Sequence, residues 1–116
     1  MPQERRLKKL ETSDGTVPFD DWYCRLKDKK SRAVIAARLL RIQAGNFGDV
    51  KALGGGVFEF RIHFGPGYRI YFSEVNNILI VLLCGGDKSR QSRDIKTAIA
   101  LWEEYSDEIE RYLRDV

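Results

Sequence analysis

One histidine, two cysteines, one methionine and three prolines are all that 116 residues contain of these types, and each scarcity removes a class of function. A lone imidazole, His63, supplies neither a two-histidine acid–base pair nor an HExxH zinc helix. Cys24 and Cys84 lie far apart without CxxC spacing or a Cys/His cluster, so a metal site or disulfide framework is not expected, and both read as reduced thiols. No Ser/His/Asp constellation or pair of catalytic acids is present. The longest apolar run, residues 78–84, has seven members, far short of the ~20 that span a bilayer. The opening MPQERRLKKL has no apolar segment like that of a signal peptide. These absences predict a cytoplasmic, cofactor-free protein without a membrane partner. Gly54-Gly55-Gly56 leads toward a strand rather than a helix, which excludes a phosphate-cradling P-loop or dinucleotide fingerprint.

What is abundant is positive charge, unevenly placed. Residues 25–96 carry 14 Lys and Arg against 6 Asp and Glu, a local +8, whereas residues 1–24 come to −1 and residues 97–116 to −4. The basic excess therefore sits in the middle of a chain whose net charge is only +3. A surface of this kind attracts phosphate backbones at long range. The chain is long enough for one hydrophobic core and too short for two, so residues 1–116 are read as a single domain.

The stretch VFEFRIHFGPGYRIYF, residues 57–72, organises the rest. Alternation puts Phe58, Phe60, Ile62 and Phe64 on one face of a strand and Glu59, Arg61 and His63 on the other. Gly65-Pro66-Gly67 is turn chemistry, and the return strand sets Arg69 and Tyr71 against Tyr68, Ile70 and Phe72. If the polar faces coincide, Arg61 and Arg69 stand on neighbouring strands. Like charges facing each other across a sheet destabilise it, so the pair calls for solvent, an acidic neighbour or an anion. Solvated arginines with Glu59 neutralising one of them remain the plain alternative.

In chain order, residues 5–12 predict a first strand. Pro18 to about Lys27 predicts a helix with Phe19, Trp22, Tyr23 and Leu26 on one stripe, with Thr16 or a neighbour of Val17 as its N-cap. Lys29–Ala44 predicts a second helix, with Val34, Ile35, Leu39 and Ile42 inward and Lys30, Arg32, Arg38 and Arg41 outward. Residues 46–56 read as a glycine-rich connection. After the hairpin and a turn at Asn76-Asn77, residues 78–84 form a strand apolar on both faces, which Gly85-Gly86-Asp87 ends. A closing helix runs from Gln91 to Leu113 with Ile95, Ile99, Trp102, Ile109 and Leu113 inward. The predicted class is α+β: a small, mostly antiparallel sheet of about four strands against an N-terminal helical hairpin, with a C-terminal helix, in the order β-α-α-β-β-β-α.

The groups left to do chemistry are Lys51, Arg61, Arg69, Tyr71, Lys88 and Ser89, which can converge at the strand ends. Such a set suits reactions at phosphorus, where charge stabilisation and positioning dominate. Arg69 is assigned to the developing phosphorane charge and Arg61 to a second phosphate clamp, since guanidinium offers a rigid fork to phosphate oxygens. Lys88 is the candidate general base and Lys51 the other. His63 shares the Arg61 face, but a lone strand-end histidine is more often a surface residue.

The motifs RAxIxxRLxR (32–41), GNxGDxK (45–51), GGVxExRI (55–62), GPGYRxYF (65–72) and LLxGGDKSxQxxDI (82–95), in this order, resemble the addiction-module killer proteins of the RelE/HigB-like toxin superfamily. The resemblance covers about residues 5–102. It implies a RelE-like fold, the toxin role of a type II toxin–antitoxin pair, and metal-independent, often ribosome-dependent mRNA cleavage. It also implies a helix-turn-helix antitoxin as partner, with operator DNA reached only through that antitoxin. Position by position it places Arg61 and Arg69 as the arginines of the sheet and Lys88 where functional groups follow the last strand. That gives Arg61, Arg69 and Lys88 as catalytic candidates and Lys51, His63, Tyr71, Ser89 and Arg90 as RNA contacts. The sequence departs from the family pattern at Phe60, where leucine is usual, and at Arg90, where a small polar residue is usual. The first departure repacks core and the second adds charge beside the site. A non-catalytic basic module that binds RNA or the ribosome, and a degenerate toxin acting only with its antitoxin, are the competing readings.

Overall fold

A computed structural model describes residues 4–114, with strands β1 (Arg6–Lys9), β2 (Val50–Gly54), β3 (Val57–Ile62), β4 (Tyr68–Val75) and β5 (Leu79–Asp87) in one sheet. Helices α1 (Pro18–Arg25) and α2 (Lys29–Gln43) precede β2, and a single 3-10 turn, Lys88–Arg90, leads into α3 (Gln91–Arg114). The sheet order is β1-β5-β4-β3-β2, antiparallel except that β1 runs parallel to β5. The fold is therefore α+β, as expected, with five strands instead of about four.

The extra strand corrects the expected order to β-α-α-β-β-β-β-α. Residues 50–54, expected within a connection, pair with β3 through Val50 opposite Phe60, Lys51 opposite Glu59 and Ala52 opposite Phe58. Gly54, Gly55 and Gly56 all take positive φ, so the triplet closes a tight β2–β3 hairpin rather than lengthening a loop. This edge strand is exposed over much of its length and lacks an apolar alternation that would announce it. The other turns fall where expected: Gly65 and Gly67 have positive φ beside Pro66, and Asn76 and Asn77 have φ of 54° and 56°.

Helices cover both faces. Against one lie α1 and α2, whose Phe19, Ile35 and Ile42 pack with Phe60, Ile62, Tyr68, Ile70, Phe72, Ile80 and Leu82. Phe60 and Phe72 stack at 3.8 Å between ring centroids in its centre. Against the other lies α3, with Ala98, Trp102, Tyr105 and Ile109 on Val57, Tyr71, Val75, Val81, Leu83 and Cys84. A bulge between Tyr71 and Phe72 lets consecutive Leu83 and Cys84 both join this second core.

Helix ends differ in detail. Helix α1 starts at Pro18 but stops at Arg25, two residues early, and Val17 precedes it without a side-chain cap. Helix α2 stops at Gln43 and begins on Asp28, which accepts the Lys30 amide at 3.1 Å. Two of its outward arginines are tied down, Arg32 to the Leu26 carbonyl and Arg38 to that of Phe47 at 3.1 Å. Tyr105, missed from the inner stripe of α3, accepts the Ser13 amide at 3.0 Å and anchors the 12–16 turn. Strand β5 runs through Gly85 and Gly86 instead of ending there. A Cβ on Gly85 would lie 2.2 Å from Trp22 of α1, and one on Gly86 would lie 2.0 Å from Asp94 Oδ2 of α3. The two glycines face opposite sides, and each lets a helix side chain touch the backbone of the sheet.

Candidate functional site

The register brings the arginines together. Arg61 on β3 lies directly opposite Arg69 on β4, which in turn pairs with Gly86 on β5. The neighbouring row across the same face is Lys51, Glu59, Tyr71 and Cys84. Side chains two apart on a strand share a face, so both rows look toward the first turns of α3. Polar and buried groups are thus interleaved where the helix begins.

The two arginines differ in environment. Arg61 donates from Nε to Glu59 Oε1 at 2.8 Å, which raises the arginine's pKa above its ordinary value. Glu59 is fully buried and also receives Gln91 Nε2, at 3.0 Å on one oxygen and 3.3 Å on the other. Arg69 is only 9% exposed, its Nη1 donates to the Gly67 carbonyl at 2.9 Å, and its buried Nε has no partner. Among the described residues no carboxylate pairs with it. The plain reading holds for Arg61 and not for Arg69.

Arg69 borders an open depression of about 440 Å³ that it shares with His63, Phe64, Gly65, Pro66, Gly67 and Lys88. A second depression, about 380 Å³, is lined by Lys88, Ser89, Arg90, Gln91, Ser92 and Arg93. Lys88 stands between the two. Its turn is fixed from both ends, since the Lys88 amide donates to the Gly67 carbonyl at 2.9 Å and Asp87 accepts the Ser89 amide at 2.9 Å. Lys88, Ser89 and Arg90 are exposed. Cations and hydroxyls on a short ordered turn, beside a nearly buried guanidinium, are the groups that can bind an anion with several oxygens.

The remaining candidates divide. Lys51 is exposed on the edge strand next to Glu59, on the arginine face. His63 is exposed on the wall of the first depression and bonded through Nε2 to Asp49 Oδ2 at 2.7 Å, an interaction that lowers the Asp49 pKa. Tyr71 is corrected: it is fully buried under α3 and cannot touch RNA from that position. Burial, then the nearby Glu59 and Asp94 carboxyls, push its hydroxyl pKa upward. Burial likewise pushes the Cys84 thiol up to about 12, so it behaves as core and not as a nucleophile. No group of three or more metal-ligating side chains occurs among the described residues, and no helix among them is long and apolar enough to cross a membrane.

Sequence reasoning missed Gln91 and Asp94. Both were within reach of it, because continuing the inner stripe of α3 back by one turn from Ile95 and Ala98 arrives at these two residues. Asp94 Oδ2 is buried without a partner, and its burial raises the carboxyl pKa against the opposing pull of Arg90 and Arg93.

A protein of Haemophilus influenzae (strain ATCC 51907 / DSM 11121 / KW20 / Rd), described as an uncharacterized protein, is 51% identical to this chain over 89 residues, 77% of this chain and 90% of the relative. The chain belongs to the family of that protein. No protein-family model matches it. Membership of this family carries no activity with it, so a functional reading has to be built on the arginine face and the Lys88 turn.

Proposed function

We propose that the protein is the toxin of a type II toxin–antitoxin pair, RelE/HigB-like in fold as its motifs suggest, which acts in the cytoplasm and stops translation by cutting mRNA, with the ribosome as the expected setting. The observation that carries this reading is Arg69: a nearly buried guanidinium without a carboxylate partner, opposite a second arginine, on the wall of an open depression. A fold that holds a cation this way gains most from an anion that completes it.

In the proposed reaction the RNA 2′-hydroxyl attacks the adjacent phosphate, and the bond to the 5′-oxygen breaks. A 2′,3′-cyclic phosphate results, and the departing 5′-oxygen takes a proton from solvent to become a 5′-hydroxyl. Arg69 meets the charge that builds on the phosphorane oxygens, Arg61 clamps the phosphate with its terminal nitrogens, and Lys88 is the candidate to take the 2′-hydroxyl proton. Lys51, Ser89 and Arg90 extend the cationic track for flanking phosphates. The partner is a helix-turn-helix antitoxin whose acidic segment covers this face and blocks RNA.

A non-catalytic RNA- or ribosome-binding module is the second reading. It draws on His63, whose Nε2 is engaged by Asp49, and on Arg61, whose Nε is engaged by Glu59, so that few groups are free to move protons. Inducible expression separates the readings. A toxin arrests growth when expressed alone and is relieved by co-expression of an adjacent helix-turn-helix protein, whereas normal growth at high levels of folded protein removes the toxin reading. RNA retained but never cut favours the binding module.

A further inference from the structure

Glu59 is a carboxylate with no exposed surface in a protein whose other acids lie mostly at the surface. A buried charge persists only when paired and hydrogen-bonded, and Glu59 is held from two directions. On its own strand it takes Arg61 Nε, and from α3 it takes both contacts of Gln91 Nε2. Gln91 directly follows the turn that carries Lys88, Ser89 and Arg90. The carboxylate is too deep to reach a substrate, so its influence passes through the groups it holds.

Using Nε for the ion pair has a geometric effect. The terminal nitrogens of Arg61 make no hydrogen bond among the described residues and are not buried, and the side chain remains 28% exposed. Glu59 thus fixes the stem of the guanidinium and leaves its fork open. Through Gln91 the same carboxylate ties the first residue of α3, which directly follows the Lys88 turn, to the sheet.

We propose that Glu59 is the positioning residue of this site, aiming Arg61 through Nε and locking the start of α3, beside the Lys88 turn, to the sheet through Gln91. This rests on the RNA-cleavage reading above. Glu59→Gln keeps the size and a hydrogen-bonding group but loses the charge that holds Nε. It should lower single-turnover cleavage by about 10²-fold, the scale set by misplacing a catalytic group by about 1 Å, while RNA affinity changes little. In an Arg61→Ala background most of that loss should vanish, because the ion pair that Glu59→Gln weakens is already gone and a glutamine oxygen still accepts from Gln91.

The tests are a double-mutant cycle on single-turnover rates, RNA binding measured in parallel, and the ¹⁵N–¹H signal of Arg61 Nε. The wild type should show a slowly exchanging Nε–H that is lost in Glu59→Gln. A purely structural role would cost the same factor with or without Arg61, and that result overturns the proposal, as does full-rate cleavage by Glu59→Gln. If Glu59→Gln does not fold, Gln91→Met decides: it removes the tie to α3 while leaving the ion pair, and full-rate cleavage by it overturns the locking half of the proposal. A fast-exchanging Arg61 Nε–H in the wild type overturns the aiming half whether or not RNA is cut. A wild-type protein that folds, shows the protected Nε–H and cuts no RNA refutes the function and not the geometry.

Discussion

Replacing Arg69 with methionine should leave the protein as stable as the wild type or more so, by up to about 1 kcal/mol, although the residue is only 9% exposed. Methionine keeps the unbranched apolar stem, so the packing it provides is largely retained. What the substitution removes is a buried Nε with no partner, and an unmet buried donor of this kind costs about 1–3 kcal/mol. It also removes the repulsion from Arg61 directly opposite, which acts in the same direction. The loss on the other side is the Nη1 bond to the Gly67 carbonyl, worth about 1.5–3 kcal/mol for a charged donor. That carbonyl still accepts the Lys88 amide at 2.9 Å, so it is not orphaned and the loss falls at the low end. In a domain of this size 1 kcal/mol moves the midpoint by about 4 °C. Urea and thermal unfolding, followed by tryptophan fluorescence, measure it. Inorganic phosphate should stabilise the wild type and leave Arg69→Met unmoved. Destabilisation by more than about 2 kcal/mol, the range of ordinary core truncations, would refute the argument and make Arg69 a structural cation.

Other outcomes follow from the same geometry. Arg69→Lys keeps charge and loses the fork, so single-turnover cleavage should fall by about 10²–10³ with most RNA affinity retained, and Arg61→Ala and Lys88→Ala should also cut slowly. Wild-type rates in all of them would move the active site off this face. His63→Gln should leave most cleavage intact, since the imidazole is exposed and bonded to Asp49; a loss equal to that of the arginine variants would overturn this. Gly85→Ala should destabilise by about 1–3 kcal/mol through overpacking, because its Cβ would sit 2.2 Å from Trp22. A Trp22→Leu change in the same chain should recover part of that loss in urea midpoints.

The hairpin at residues 57–72 was legible because alternation and turn glycines agree there, and the face-to-face arginines follow from register alone. Helix interiors were legible for the same reason, while their ends shifted by a residue or two, where caps decide. Strand β2 was hidden by its position: an edge strand with exposed residues has little reason to alternate. Tyr71 shows the sharper limit. Alternation put it on the arginine face correctly, but the same face is polar toward Gly67 and covered by α3 one row further along. Period-two reasoning assigns a face and says nothing of where along the strand a helix roof begins. Glu59 was expected to neutralise one of the arginines, as its ion pair with Arg61 does, but alternation gave no sign that it lies fully buried.

The most direct measurement is the chemistry of RNA ends after brief induction of the wild-type protein and of Arg69→Ala, mapped across the transcriptome with and without the neighbouring reading frame. New 5′-hydroxyl ends are expected within translated messages, paired with 2′,3′-cyclic phosphates upstream, present for the wild type and absent for Arg69→Ala or when the antitoxin is co-expressed. New ends bearing 5′-phosphate, or 5′-hydroxyl ends unchanged in Arg69→Ala, would contradict the proposed cleavage.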